Sequence, residues 1–213
     1  LYLILTAVFC TCLITANLLE SKVVQTGPIT FTAGFIVFPV SYIINDIATE
    51  VYGFKGAKTM IYLGFAMNFL VLVFSQVAIL LPAAPFWQGA DAFQFVFGLA
   101  PRIAVASLLA FLTGSLVNAY VMSRMKVRNQ KRFSLRAIVS TIAGEGLDSL
   151  VFFPIAFLGT MSGGELLKLM LLQVCGKTLY EVVMLPITAR VVAYTKRKEQ
   201  LDTIDSNENY KLF

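Results

Sequence analysis

Two carboxylates stand in an apolar stretch of this chain, Phe38-Pro-Val-Ser-Tyr-Ile-Ile-Asn-Asp-Ile-Ala-Thr-Glu-Val-Tyr-Gly53. The run from Ile29 to Ile44 is apolar enough to lie in a bilayer, yet it leads directly into Asp46 and Glu50. These two acids are four residues apart, so they fall on one face of a helix. They repel each other and lose hydration when buried, so the pattern predicts compensating partners or a ligand.

The composition is typical of an integral membrane protein. Of 213 residues, 58% are hydrophobic and 14% are charged, whereas a soluble domain carries about a quarter charged residues. Stretches of about 20 apolar residues, long enough to cross a bilayer, recur at about residues 1–19, 29–47, 59–82, 101–123, 134–160 and 165–194. The pattern predicts an all-α integral membrane protein, with a single six-helix transmembrane domain over residues 1–198 and a polar, disordered tail over residues 199–213.

Positive charge is concentrated at two places. Six Lys and Arg residues lie within residues 124–136, and three more follow the last span at residues 196–198. The positive-inside rule places both segments in the cytoplasm, so both termini are predicted to face the cytoplasm. Because the net charge of +5 has this local source, it does not indicate nucleic-acid binding.

Five further ionisable residues lie inside or at the edge of the later spans. They are Arg102 on the fourth, Glu145 and Asp148 on the fifth, and Lys177 and Glu181 on the sixth. A charged residue at the bilayer centre costs about 2.5–3.5 kcal/mol on insertion scales, so such residues persist by facing one another or a water-filled cavity. Together with Asp46 and Glu50 they make five acids and two bases. The surplus of acids favours a binding site for a ligand that carries hydrogen-bond donors or positive charge. Polar contacts that only hold helices together are the less favoured alternative.

Several other classes are disfavoured by residue type. The chain has no histidine, and its three cysteines (Cys10, Cys12 and Cys175) match no zinc or redox motif, so neither a metal nor a cofactor is predicted. Histidine-based catalysis is excluded, and a carboxylate-based membrane protease lacks a Gly-x-Gly-Asp signature, so an enzyme is not expected. Paired carboxylates among helices broken by Gly and Pro favour a closed binding site over a channel.

Four stretches of the chain form a recognisable set of motifs. They are Asn-Asp-Ile-Ala-Thr-Glu-Val-Tyr-Gly at 45–53, Pro-Arg-Ile-Ala-Val-Ala-Ser-Leu-Leu-Ala-Phe at 101–111, the segment 140–149 with Gly-Glu-Gly-Leu-Asp-Ser, and Lys177 followed by Tyr180, Glu181 and Pro186. In these motifs the chain resembles the queuosine precursor transporter family, a bacterial and archaeal branch of the vitamin uptake transporters. The first is the most specific. The resemblance extends over nearly the whole chain, in order.

The resemblance implies uptake of precursors of the modified base queuosine: 7-cyano-7-deazaguanine, 7-aminomethyl-7-deazaguanine or queuine. It also implies a layout similar to the substrate-binding subunits of energy-coupling-factor importers, working without the ATPase module. The positions that match the family motifs are Asp46, Glu50, Arg102, Asp148, Lys177 and Glu181. Glu145 stands where we expect a neutral polar residue in relatives, which suggests a variant substrate preference.

The chemistry of such a base fits these residues. A deazaguanine presents a ring N–H beside an exocyclic amine, and one carboxylate can accept both bonds. Either Asp148 or Asp46 is predicted to take this edge, and the sequence leaves both open. The carbonyl group on the opposite edge of the base needs a hydrogen-bond donor, which Lys177, Gln173 or Asn45 could supply. Aromatic side chains, Tyr42 among others, are predicted to form a slot for the flat ring. Lys177 and Glu181 are predicted to form a polar clamp.

The alternative function is a substrate-binding subunit of an ATPase-coupled vitamin importer for another small solute. Such subunits dock their partner through small-residue patches on the first helix. Here that helix reads Thr6-Ala7-Val-Phe-Cys10-Thr-Cys12, without a clear Ala-x-x-x-Ala pattern, which argues against this alternative. The sequence leaves open both a homo-oligomer and proton coupling.

Overall fold

The computed structural model of the chain describes residues 1–26, 29–98, 101–157, 159, 162–206 and 210. The helices are α1 (Tyr2–Leu19), α2 (Phe38–Leu80), α3 (Ala90–Phe97), α4 (Pro101–Arg128), α5 (Phe133–Phe157) and α6 (Gly163–Glu199). In the described part of the chain, five helical stretches are long and apolar enough to cross a membrane. The predicted helical membrane architecture is therefore confirmed.

A short hairpin stands where the second predicted span was expected to begin. Strand β1 (Val23–Thr26) pairs antiparallel with β2 (Ile29–Thr32), and a 3₁₀ turn (Ala33–Ile36) leads into α2. The prediction of a helix from residue 29 is therefore wrong for residues 29–32, whereas the stretch from Ala33 onward is part of a helical span. The alternation of Thr with Ile and Phe in β2 favours a strand, and Pro39 in the first turn of α2 suits a helix start.

Gly53 divides α2 into two parts. Its φ of 75° and ψ of 179° belong to a region that essentially only glycine adopts. Before the break, Asn45 donates a hydrogen bond to the Ser115 carbonyl at 3.1 Å, and Glu50 lies 3.7 Å from Lys126. Residues 38–52 therefore run alongside α4 in the same direction.

The second part of α2 runs the opposite way. Phe54 packs against Tyr120 near the end of α4, with ring centres 6.5 Å apart. At the other end, Gln76 donates to the Phe97 carbonyl at 3.3 Å, just before α4 begins. Residues 54–80 are thus antiparallel to α4, and the chain turns back at Gly53. The loop expected between residues 47 and 59 is helical on both sides of this glycine.

Helix α4 packs against both α2 and α5. A Cβ atom placed on Gly114 would lie 2.9 Å from the Gly144 carbonyl oxygen, so these two glycines permit a backbone approach that any side chain would block. Large apolar side chains such as Phe74 and Leu150 are 68% and 60% exposed. Such outward apolar surface is what lipid contact requires.

The C-terminal segment returns to the helices. Thr203 donates its backbone N–H to the Val51 carbonyl at 3.1 Å, and Asp205 accepts a hydrogen bond from the Phe54 N–H at 2.8 Å. The expectation of a disordered tail is wrong for residues 202–205, because their polar groups satisfy backbone groups left open by the break at Gly53.

Candidate functional site

Helices α5 and α6 bring three predicted charges together. Lys177 Nζ lies 2.8 Å from Glu145 Oε2 and 3.8 Å from Asp148 Oδ2. Glu145 is 1% exposed and the other two are each 8% exposed. The two acids share a face of α5 because they are three residues apart. Buried in this way, one cation offsets two carboxylates only in part.

A second acidic pair lies beside this group. The carboxyl groups of Asp46 on α2 and Glu181 on α6 are neighbours, and their residues are 0% and 3% exposed. In the described part of the chain, no well-formed hydrogen bond reaches either oxygen of Asp46. Two carboxylates in contact repel unless a proton or a donor lies between them. We call Asp46, Glu145, Asp148, Lys177 and Glu181 the buried charge cluster.

Aromatic and polar side chains surround the buried charge cluster. Lys177 Nζ lies 4.0 Å from the centre of the Phe38 ring, within cation–π range, and the Phe38 and Tyr42 rings are 5.7 Å apart. Asn45, next to Asp46, donates to Asn118 Oδ1 at 3.2 Å. These contacts place the predicted Tyr42 and Asn45 at the border of the cluster.

Asn118 extends this polar border to α5. It donates to Thr141 Oγ1 at 3.3 Å, so hydrogen bonds between side chains connect α2, α4 and α5. On α6, Gln173 is half-buried one helical turn before Lys177. Eight of the ten predicted site residues therefore lie in the cluster or beside it: Tyr42, Asn45, Asp46, Glu145, Asp148, Gln173, Lys177 and Glu181.

The structure does not bring Glu50 and Arg102 to this place. Glu50 pairs with Arg136 at 2.6 Å and with Lys196 at 2.7 Å, near Gly53. Arg102 is exposed at the start of α4 and donates its Nε–H to the Ile155 carbonyl.

Lys177 and Glu181, which are predicted to act together as a polar clamp, do not form an ion pair with each other in the part of the chain that the structure describes. In the described residues the ion pairs of Lys177 are those with the α5 acids, whose side chains reach its Nζ across the helix interface. Glu181, one helical turn further along α6, faces Asp46 instead.

Sequence reasoning missed the cations that hold Glu50. The positive-inside rule places Arg136, Lys126 and Lys196 in cytoplasmic segments without indicating a buried partner, but Arg136 is 1% exposed and Lys126 is 3% exposed. A signal was present, since Arg136 and Lys196 each lie two residues from a predicted span end. Long cationic side chains there can turn toward a buried acid instead of toward water.

The buried charge cluster is closed to solvent in this structure, since none of its five residues is more than 8% exposed. One open concavity lies elsewhere, between α1, the second part of α2, α3 and α4. It is lined mainly by apolar side chains together with Asn17 and Asn68, which are joined by a hydrogen bond of 2.9 Å.

A bundle of long apolar helices that encloses mutually facing charges defines a multi-pass membrane protein with an internal polar site. Residues 32–191 match a family model described as "Putative vitamin uptake transporter". The match spans most of the chain, so the chain belongs to this family of vitamin uptake transporters. No solved structure matches it.

Curated relatives carry more specific names. The chain is 30% identical over 146 residues to the "Probable queuosine precursor transporter" of Bacillus subtilis (strain 168), covering 68% of this chain and 64% of that protein. It is 29% identical over 155 residues to the "Queuosine precursor transporter" of Escherichia coli (strain K12), covering 71% and 68%. A "Probable queuosine precursor transporter" of Haemophilus influenzae (strain ATCC 51907 / DSM 11121 / KW20 / Rd) is 31% identical over 130 residues, covering 59% and 52%. The match thus spans between about half and two thirds of these relatives.

Proposed function

We propose that this protein is a transporter that imports queuosine precursors, namely 7-cyano-7-deazaguanine, 7-aminomethyl-7-deazaguanine or queuine, across the cytoplasmic membrane of a prokaryote. The names of three relatives support this substrate class. The observation that carries the proposal is the buried charge cluster, which contains four carboxyl groups and a single lysine. Such a site suits a flat base rich in N–H donors and disfavours an anionic solute.

We assign the two-donor edge of the base to Asp46 with Glu181. In the described residues, ion pairs link Lys177 to Glu145 and Asp148 and none is formed by the Asp46–Glu181 pair. The pair therefore has the greater need of donors, which a ring N–H and an exocyclic amine supply. Lys177 then lies toward the carbonyl edge, with the α5 acids holding its ammonium group in place.

The topology that we propose has six membrane crossings, with the two parts of α2 counted separately. Residues 38–52 form a helix of about 22 Å, and the preceding 3₁₀ turn helps to fill a hydrocarbon core of about 30 Å. The cations Lys126, Arg136 and Lys196 lie at the Gly53 end of the bundle. The positive-inside rule makes that end, and with it both termini, cytoplasmic.

Binding to the detergent-purified full chain tests the substrate class. Calorimetry with the three deazaguanines and with guanine should give tight binding of at least one deazaguanine and rejection of guanine. Lack of binding to all three would overturn the proposed substrate.

Three variants test the assignment within the site. Asp46→Asn should weaken binding at least tenfold, and Asp148→Asn should weaken it several-fold. Asp91→Asn on α3, which is exposed, should leave the affinity unchanged. A melting midpoint within about 2 °C of the parent would show that Asp46→Asn is folded. If that variant is folded and binds normally, the donor edge does not lie at Asp46.

Uptake by the purified chain in proteoliposomes separates a self-sufficient transporter from an ATPase-dependent subunit. We expect accumulation of the bound deazaguanine without any partner protein. Binding without uptake would favour the alternative of a substrate-binding subunit.

A further inference from the structure

Glu50 is the centre of a second group of charges near the end of the bundle that contains Gly53. It is 2% exposed and contacts one cation from each of three helices: Arg136 of α5 at 2.6 Å, Lys196 of α6 at 2.7 Å and Lys126 of α4 at 3.7 Å. With Glu50 itself on α2, a single carboxylate ties four helices together at this end.

The C-terminal segment completes this group. Asp202 pairs with Lys126 at 2.5 Å and with Lys196 at 2.9 Å. Lys126 also donates to the Thr203 carbonyl at 2.7 Å. Partial burial would raise the pKa of the Asp202 carboxyl, but the hydrogen bonds and charges of the two lysines lower it overall. Residues 202–205, which we call the strap, are thus attached to the same cations as Glu50.

The strap also covers the break in α2. Asp205 accepts from the Phe54 N–H at 2.8 Å and from the Ser123 hydroxyl, and it is 9% exposed. A Cβ atom on Gly53 would lie 2.5 Å from an Asp205 oxygen and 2.8 Å from the Thr203 methyl carbon. The strap therefore lies directly against the point where the chain turns back.

The position of this group relative to the buried charge cluster suggests what it controls. Glu50 lies one helical turn beyond Asp46 toward Gly53. On α5, Arg136 likewise lies between the cluster residue Glu145 and the first residue of the helix, Phe133. A solute leaving the cluster toward this end has to pass between helices that Glu50, its three cations and the strap hold together.

We propose that Glu50 with Arg136, Lys126 and Lys196 forms a cytoplasmic gate, and that the strap holds this gate closed. The proposal rests on the proposed transport function and on the orientation given above. In this structure the gate is closed and the buried charge cluster is sealed from this end. Opening requires Glu50 to separate from at least the α5 or α6 cation, and detachment of Asp202 and Asp205 makes that separation easier.

Cysteine accessibility tests the gate without any substrate, so its outcome is independent of the substrate proposal. The reporter is Ser140→Cys, in a background in which the three native cysteines are alanine. Ser140 is 0% exposed and lies one turn deeper in α5 than Arg136. A membrane-impermeant maleimide is added to inverted membrane vesicles, in which the cytoplasmic face is outside.

The strap variant for this assay is Asp202→Asn combined with Asp205→Asn. We expect it to raise the labelling rate of the reporter at least fivefold over the chain with an intact strap. The matched acid-to-amide change Asp91→Asn on α3 should not alter the rate. A second reporter at the exposed Ser134 should label equally in every variant, which controls for reagent access.

A cross-link provides the reverse test. Cysteines at Val51 and Thr203, whose backbones are joined by a hydrogen bond of 3.1 Å, should form a disulfide on oxidation and slow labelling of the Ser140 reporter until reductant is added. Unchanged labelling in both the strap variant and the oxidised cross-linked chain would overturn the gate. Opposite changes in these two chains would support it, even if no deazaguanine binds.

Discussion

Neutralising Glu50 should destabilise the protein strongly, because this carboxylate is the shared partner of three cations. In Glu50→Gln the side chain keeps its shape but loses its charge, leaving Arg136 buried at 1% exposure with the Asn129 carbonyl, 2.6 Å away, as a remaining acceptor. Breaking a buried ion pair by removing one partner costs about 3–5 kcal/mol. We expect the low end of this range, about 3 kcal/mol, because Lys126 and Lys196 still have Asp202 as an ion-pair partner.

Thermal unfolding in detergent, followed by fluorescence or circular dichroism, measures this effect. For a chain of this size about 3 kcal/mol corresponds to a fall in melting midpoint of roughly 6–12 °C. Asp91→Asn, an exposed acid-to-amide change, should move the midpoint by less than about 2 °C. In a double-mutant cycle, Glu50→Gln with Arg136→Gln should cost at least about 1 kcal/mol less than the sum of the single changes. A fall of less than about 2 °C for Glu50→Gln, or strict additivity, would refute the argument that these charges stabilise one another.

Three further predictions concern other parts of the structure. Gly53→Ala should lower the free energy of unfolding by about 1–3 kcal/mol because alanine is strained at these backbone angles. Gly146→Ala, whose Cβ would meet nothing within 4 Å, should be neutral or stabilising in the same melting assay. Equal effects of the two substitutions would contradict this prediction. Lys177→Gln leaves the two acids of α5 without a cation and should lower the melting midpoint by several degrees, and an unchanged midpoint would mean that these acids are not charged in the folded protein. The pKa of the Asp202 carboxyl is lower in the folded protein than in the unfolded chain. Its stabilisation of the strap is therefore complete above the unfolded-state pKa of about 3.9 and is lost as the pH falls through the folded-state pKa. A spin label at Ser206→Cys should therefore stay immobilised from pH 8 to pH 5 and become mobile below about pH 4, and a transition between pH 5 and pH 8 would rule out Asp202 as the attachment.

The membrane architecture was accessible from the sequence because span length and apolar composition are local properties. The pairing of charges was only partly accessible. The spacing of Glu145 and Asp148 placed both on one face of α5, and they do meet Lys177. The spacing of Lys177 and Glu181 also places both on one face of α6, yet they meet different neighbours, since sharing a helix face does not decide which neighbouring helix each side chain meets.

Two features depended on contacts between residues that are distant in sequence. The partners of Glu50 lie 76, 86 and 146 residues away along the chain, and local periodicity carries no information at that range. The attachment of the strap could not be foreseen from its polar composition, because its partners are backbone groups beside Gly53 and the side chains of Lys126 and Lys196, which mostly lie far from it in the sequence. The predicted binding roles of Glu50 and Arg102 stay predictions.

The close approach of α4 and α5 at Gly114 and Gly144 limits how this molecule can change shape. A Cβ atom on Gly114 would lie 2.9 Å from the Gly144 carbonyl oxygen, and one on Gly144 would lie 2.8 Å from the Gly114 carbonyl oxygen, so the two backbones meet with no side chain between them. We therefore expect α4 and α5 to move together. The first part of α2 joins them, because Tyr42 reaches Gly114 equally closely and Asn45 is hydrogen-bonded to α4. If the protein works as the proposed transporter, we expect α6 to be the helix that moves against this group, so that both the Asp46–Glu181 contact and the ion pairs of Lys177 with the α5 acids change when it does.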